Sequence, residues 1–295
     1  MNNYKSKKRR ITLTVCAVIC IIVFAVLLSL LQNGVLGGAV PFSPESDFVE
    51  FLDVGQGDCA IIYSNGYCAV IDVGEPESAP TLNKALREYG VKEIDAVIIS
   101  HLHSDHVGAL PEIAEIYSIQ NLFMPKILED SIVTAKAGKQ TAVQNGSAFY
   151  EAKQGINFKI GEFEITLLSD YQSGSEENDR SVFVMAEIDD TKILFTGDAE
   201  TKTENKLLAE NINIDCDILK VGHHGSNSSS GERFLRKATP EYAVISVGEG
   251  NTYLHPHKAT LSALKKCGAK TYRTDKSGDI TFDFTNNALK VKTDK

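Results

Sequence analysis

The order of apolar and polar segments predicts an α/β (α+β) fold in which two similar halves pack face to face. Three observations carry this expectation. Short runs rich in Val, Ile and Phe alternate with segments of helical period. A strand hairpin followed by strand–helix units occurs twice along the chain. All seven histidines fall in three short clusters, His101, His103 and His106, then His223 and His224, then His255 and His257. Each cluster comes just after an apolar, strand-like run. In open α/β sheets that edge of the strands is where ligands bind.

Four segments are expected: a basic tail at 1–10, a membrane anchor at 11–32, a linker at 33–46 and a catalytic domain at 47–295. The tail carries Lys5, Lys7, Lys8, Arg9 and Arg10 and no acid. The next 21 residues hold no charge, enough helix to span a hydrocarbon core about 30 Å thick. Basic residues ahead of such a span predict a cytoplasmic N-terminus and an exported remainder. The alternative is a signal peptide cleaved near Gly37-Gly38-Ala39, although its apolar region would ordinarily be shorter. The linker, with Gly34, Gly37, Gly38, Pro41 and Pro44, reads as a flexible tether.

The domain begins with a strand at 48–52 and a glycine-containing loop at 53–58. A hairpin at 59–63 and 67–71 turns on Ser64-Asn65-Gly66, since Asn-Gly supplies the positive φ that tight hairpins need. A helix at 81–89 ends at Gly90. A strand at 94–100 feeds the first histidine cluster, and a helix at 108–117 and a strand at 121–124 follow. Residues 128–152 are polar and weakly periodic, consistent with a helix, an insertion or a flap. A hairpin at 156–160 and 163–168 precedes a polar loop at 173–179. Strands at 181–188 and 192–195 are joined by Asp189-Asp190. The rest reads as helix 200–210, strand 217–221, helix 232–238, strand 242–247 and helix 258–266 closed by Gly268. Tyr272 and 280–284 suggest final edge strands.

The net charge of −9 includes the five cations of the tail, so the exported part is more acidic still. Such a balance argues against a large nonspecific nucleic-acid surface. Of six cysteines, Cys16 and Cys20 lie in the apolar span. Cys59, Cys68, Cys216 and Cys267 lack ribbon spacing and read as core residues.

The stretch Ser100-His101-Leu102-His103-Ser104-Asp105-His106 is the densest set of donors. His101 and His103 can point the same way from an extended backbone. Asp105 and His106 fall in the turn that follows. Nitrogen and oxygen donors this close suit zinc, and other divalent metals less selectively. Asp198, after Thr196-Gly197, reads on its own as a turn carboxylate capping the following helix; beside three histidine clusters it reads as an anionic metal ligand. Asp53, Gln56 and Asp58 read equally as loop hydrogen-bonding residues or as groups that orient ligating histidines.

This ordered set, His-x-His-x-Asp-His, then Gly-Asp after a strand, then a strand-borne His, resembles the metallo-β-lactamase superfamily from Phe48 to Phe284. Further motifs are Phe51-Leu52-Asp53-Val54-Gly55-Gln56-Gly57-Asp58, Leu219-Lys220-Val221-Gly222-His223-His224-Gly225-Ser226 and Asn251-Thr252-Tyr253-Leu254-His255-Pro256-His257. They resemble the extracellular hydrolase domain of competence proteins of the ComEC/Rec2 type, without the multi-pass channel region, so the resemblance does not extend to DNA uptake. It implies an αββα sandwich with two divalent ions, zinc with manganese as the alternative, at one edge of the sheets. It also implies that His101 and His103 hold one ion, that Asp105 and His106 hold the second, and that Asp198 bridges them. His223 or His224 completes the second site, His223 being preferred. One departure stands out: no histidine lies between His106 and His223, where β-lactamases and glyoxalases supply a ligand. Asn178 and Ser181 occupy that neighbourhood, which weakens a β-lactamase assignment and leaves the number of ions open.

The expected activity is hydrolysis of a phosphodiester by a metal-activated hydroxide, most of all in single-stranded nucleic acid outside the membrane, with DNA among the substrates. Asp105, Asp198 and His257 are the expected catalytic residues, His257 as proton donor to the leaving group. Ser226, Asn251, Tyr253 and His255 are expected to hold the phosphate. The rivals are a cell-wall phosphodiesterase acting on choline-phosphate or teichoic-acid linkages, and a binding module with a structural metal. No partner protein is inferred.

Overall fold

The computed structural model describes residues 46–129, 131–169, 176–285 and 289–295. The chain divides into two units, Met1–Ser43 and Pro44–Lys295, of which the second is compact. The first unit, with the expected tail and anchor, lies outside the described residues, as do the linker up to 45 and part of the polar loop. Among the described residues no helix is long and apolar enough to cross a membrane.

Fifteen strands among the described residues form two sheets. The first contains β1 (Asp47–Phe51), β2 (Cys59–Ser64), β3 (Tyr67–Val73), β4 (Glu93–Ile98), β5 (Ser118–Met124), β6 (Ala148–Glu151), β14 (Ile280–Asp283) and β15 (Lys290–Thr293). Its order is β15-β14-β1-β2-β3-β4-β5-β6. The second contains β7 (Asn157–Ile160), β8 (Phe163–Leu167), β9 (Val184–Ile188), β10 (Thr191–Phe195), β11 (Ile218–Lys220), β12 (Tyr242–Ile245) and β13 (Lys270–Arg273), in the order β13-β12-β11-β10-β9-β8-β7.

The strands are apolar on both faces, and the period of two sorts their side chains. Val49, Phe51, Ala60, Ile62, Ile193, Phe195 and Val244 face inward and fill the space between the sheets. Their alternates Leu194, Leu219, Ala243 and Ile245 face outward. There they pack under Leu207 of α5 (Thr201–Ala209), Phe234 and Leu235 of α6 (Glu232–Ala238) and Leu264 of α7 (Lys258–Cys267). On the outer face of the first sheet, Tyr89 at the end of α1 (Ala79–Glu88) stacks edge-on against Phe48 at 4.8 Å. Helix, sheet, sheet and helix therefore form four layers, because each strand has two apolar faces to cover.

Local expectations hold where local geometry decides. Asn65 and Gly66 both have positive φ, 51° and 89°, at the tip of the β2–β3 hairpin. Gly90 and Gly268 end their helices in the left-handed region. Three expectations change. The helix read at 108–117 is found as α3 (Leu110–Ile116), with Pro111 in its first turn, and a separate single turn, α2 (Ser104–Val107), precedes it. The ambiguous stretch at 128–152 holds α4 (Val133–Gln144) and the edge strand β6, which pairs parallel to β5. The strand read at 280–284 as an edge is internal, between β1 and β15. Lys290 and Lys292 on β15 hid that strand in the sequence, yet charge of this kind is what a sheet edge tolerates.

Strands β3, β4 and β5 are mutually parallel, and so are β10, β11, β12 and β13. The segments after β4, β10, β11 and β12 carry the histidines and Asp105 and Asp198, while Asp58 directly precedes β2, Asp72 sits at the end of β3 and Lys220 at the end of β11. Hydrogen bonds join the two sheets at this rim: Val182 N–H donates to Ser100 O at 2.9 Å, and Leu102 N–H donates to Glu177 Oε1 at 3.0 Å.

Candidate metal centre

His101 and His103 leave β4 on extended backbone. Their rings meet edge to face, with His101 Nε2 3.1 Å from His103 Nδ1. Asp105 and His106 follow in the single turn of α2, and the His106 ring lies 4.1 Å from that of His101. From the second sheet, Asp198 arrives after β10. Its Oδ1 is 3.3 Å from His106 Nε2, and its Oδ2 is 3.5 Å from His224 Nε2 and 3.8 Å from His223 Nε2. His224 Nε2 also lies 3.1 Å from Asp105 Oδ2. One ligand atom each from Asp105, His106, Asp198 and His224 falls within 4.8 Å of all the others.

These donors fit a divalent cation. His106 Nε2 and Asp198 Oδ1 are buried without a hydrogen-bond partner among the described residues, although they face each other. Buried polar atoms ordinarily find a partner, and an ion between carboxylate and imidazole would supply one. The charge balance points the same way. Burial favours the neutral form of His106, but Asp198, Asp72 and Asp105 outweigh it and hold its pKa well above the usual value. Burial likewise opposes charge on His224, and Asp198 and Asp58 nevertheless push it up to about 10. The carboxylates thus call for positive charge, which protons or a metal can provide. His101, fully buried and next to His106, is pushed well below the usual imidazole value.

A second ring of contacts orients these groups. Asp72 accepts hydrogen bonds from Ser100 N–H and Ser100 Oγ, both at 2.7 Å, and its Oδ2 lies 2.8 Å from His106 Nδ1. His106 Nδ1 therefore carries the proton and Nε2 points at Asp198. The backbone carbonyl of Ser246, 3.0 Å from His224 Nδ1, does the same for His224. Asp58 Oδ1 is 3.3 Å from that same nitrogen, and Asp58 Oδ2 meets Lys220 Nζ at 2.6 Å. Sequence reading passed over Asp72 and Lys220 as strand residues. The available signals were an acid at a strand end before Val73-Gly74 and a lysine inside the apolar run of β11.

The structure brings His224, rather than the preferred His223, into the tight group. His223 and His224 have φ of 49° and 51°, a left-handed pair between Gly222 and Gly225. This costly backbone turns the His224 ring inward and leaves His223 on the rim, 24% exposed and 3.8 Å from Asp198. His103, Asp105, Asp198, His223, His224 and His255 line one open cleft of about 700 Å³. Asn178 lines it too, with its Oδ1 unpartnered among the described residues. Ser181 instead uses Oγ to accept the Asp198 N–H at 3.2 Å.

Of the expected substrate-side residues, Tyr253 and His255 line the cleft. Three others have different work. His257 Nδ1 accepts the Asn227 N–H at 2.9 Å at the head of α7, so the expected proton donor is engaged away from the cleft lining. Ser226 is buried, with its Oγ 3.0 Å from Ser228 Oγ. Asn251 clamps the backbone of His255, accepting its N–H at 3.0 Å and donating to its carbonyl at 2.7 Å.

Gly197 holds this arrangement by having no side chain. Its φ is +50°, and a Cβ there would lie 2.7 Å from Ser100 Oγ and 3.2 Å from Ser181 Oγ. Gly197→Ala should displace Ser100 from Asp72. The expected loss is roughly 10–100-fold in metal affinity with more than about 1 kcal/mol of stability. A chelator-competition titration with a thermal melt measures both, and wild-type affinity in the variant would contradict this account.

The Metallo-beta-lactamase superfamily model matches residues 52–249. ComE operon protein 3 of Bacillus subtilis is 30% identical over 258 residues, covering 81% of this chain and 33% of that protein. Recombination protein 2 of Haemophilus influenzae is 27% identical over 255 residues, covering 83% of this chain and 30% of that one. The chain thus spans about a third of the length of these curated relatives. Among solved structures, the metallo-beta-lactamase fold protein YhfI from Bacillus subtilis superposes with a TM-score of 0.56 at 11% identity. That match covers 80% of this chain and 100% of YhfI, a likeness of fold alone. With the profile covering most of its length and the histidine–aspartate cluster at the shared rim of two sheets, this chain belongs to the metallo-β-lactamase superfamily, and its relatives include competence proteins of the ComEC type.

Proposed function

We propose that this protein is a metal-dependent phosphodiesterase acting on single-stranded nucleic acid, held at the outer face of a membrane by the apolar segment 11–32. One observation carries the reading. Asp198 presents its two oxygens to His106 and His224 at the floor of a cleft that opens to solvent. A structural metal is closed off by protein, whereas a catalytic one keeps an accessible side. The likeness to Recombination protein 2, by its name a protein of recombination, supports nucleic acid as the substrate class.

Asp105, His106, Asp198 and His224 would hold one divalent ion, zinc or manganese, and His101 and His103 would contribute to a second. Such ions, when bound, lower the pKa of water and polarise a phosphoryl oxygen. The chain's own groups do the rest. Asp72 and Ser246 fix the imidazole tautomers so that Nε2 atoms face the cleft. Asp198 gathers rings from both sheets. Burial, with His224 and His223 nearby, lowers the His255 pKa to about 4, so at neutral pH this ring is uncharged. His255 is therefore suited to hydrogen-bond the substrate and poorly suited to give a proton as an imidazolium.

The acidic composition and the cleft wall of Glu75 and Glu77 favour a second reading, a cell-wall phosphodiester that carries a cation, as a choline-phosphate linkage does. The test incubates the purified full chain with Zn²⁺ or Mn²⁺ and single-stranded oligonucleotides, bis-p-nitrophenyl phosphate or wall extracts. Oligonucleotide cleavage that EDTA abolishes and added metal restores is the expected result. A metal-loaded protein inert on nucleic acid that releases choline phosphate or teichoic fragments would transfer the assignment to the wall.

A further inference from the structure

The mouth of the cleft carries a column of rings. Tyr253 lies over His255, centroids 5.7 Å apart and planes 24° from parallel. His255 lies over His224 at 6.4 Å and 28°. The column thus runs from a side chain 64% exposed to one buried among the metal-site donors. Asn251 fixes the middle of the column, accepting from the His255 N–H and donating to the His255 and Gly248 carbonyls. Beside it Leu254, 79% exposed with φ of +62°, extends the apolar tip. The opposite wall offers Glu75 and Glu77, and no Lys or Arg is among the described residues that line the cleft.

These facts constrain what enters. A groove that tracks a polyanion needs cations along it, and this wall is acidic. A flat, exposed aromatic ring instead offers stacking, which is tolerant of base identity. We infer that Tyr253, backed by His255, is a stacking subsite for a nucleobase next to the scissile phosphodiester, and that the cleft recognises this base rather than a run of phosphates. This inference rests on the phosphodiesterase reading and names the handle by which the substrate is held.

The test uses the full chain and two ligands that differ only in their bases: thymidylyl-(3′→5′)-thymidine and the same dinucleotide with abasic sugars. Calorimetry on the metal-free protein measures binding, and hydrolysis is followed on the metal-loaded protein. Wild type is expected to favour the thymine ligand. Tyr253→Ala should lose roughly 5–150-fold in affinity for it, with abasic binding and metal content unchanged. Tyr253→Phe should keep the preference, and Tyr67→Ala, at an exposed tyrosine on the β2–β3 hairpin, should behave as wild type. Binding of (dT)20 should depend only weakly on salt, because few cations are there to release counterions. Equal binding of both ligands by wild type, equal losses for both in Tyr253→Ala, or a steep salt dependence that grows with length would each overturn the subsite. A base preference abolished by Tyr253→Ala, with neither ligand hydrolysed, would sustain the subsite and remove the phosphodiesterase. Cleavage of both ligands at equal rates, unaffected by the substitution, would do the reverse.

Discussion

Asp198→Asn is expected to fold, to lose its bound metal and to lose phosphodiester hydrolysis down to the uncatalysed background. Asp198 is 2% exposed, and its two oxygens lie within 3.8 Å of three different imidazoles. Despite burial, His224 and His106 hold its carboxyl well below the usual range, so it is an anion in the folded protein. The amide keeps the shape, and the backbone N–H of residue 198 still reaches Ser181 Oγ. What disappears is the charge that faces His106, His223 and His224 together. The loss should exceed the roughly 10–100-fold that removal of an outer partner causes. Metal content by mass spectrometry, read beside far-UV circular dichroism and turnover, checks it. Wild-type metal content in a folded variant would mean that Asp198 is not a ligand.

Lys220→Met should produce the largest loss of stability, about 3–5 kcal/mol, because it strands a buried charge. Lys220 is 3% exposed and Asp58 5%. The ammonium donates to Asp58 at 2.6 Å and to the Val221 carbonyl at 3.1 Å. Burial alone would raise the Asp58 pKa; Lys220, then His224, outweigh it and bring it down to about 2. A carboxyl so depressed stabilises the fold above its unfolded pKa of about 3.9. That contribution is lost as pH falls from about 4 to about 2. In Lys220→Met burial raises the Asp58 pKa with only His224 and His106 left to oppose it, so the penalty is greatest at neutral pH and shrinks on acidification. Denaturant melts of wild type, Lys220→Met and Lys220→Met/Asp58→Asn from pH 3 to 8 test this. The double variant should recover much of the stability, since no unpaired charge is left. A single variant as stable as wild type would show that the pair contributes nothing.

The two predictions concern residues of unequal visibility. Asp198 could be picked out from its place after Thr196-Gly197 and from the histidine clusters that needed a carboxylate. Lys220 could not be, since within Ile218-Leu219-Lys220-Val221 nothing names its partner 162 positions away. The same division runs through the fold. The β2–β3 hairpin followed from Asn65-Gly66, and the helix ends from Gly90 and Gly268, because φ preferences act within a few residues. The helix read at 108–117 starts at Leu110 with Pro111 in its first turn, and the single turn at Ser104–Val107 ahead of it comes with the close approach of Gly108 to Pro76. The position of β14 depended on β15, a strand whose lysines gave no apolar pattern.

At the centre of the molecule, residue types and spacing bring His101, His103, Asp105, His106 and Asp198 forward as candidate donors, because the spacing of near neighbours is a local property, and the structure gathers Asp105, His106 and Asp198 into one group. Only the packed sheets could choose His224 over His223, draw Asp72 to His106 and Asp58 to Lys220, and turn His257 toward Asn227. Those pairings join strands far apart in the chain. They follow from how two apolar faces close on each other and from the high cost of leaving a buried charge or donor without a partner.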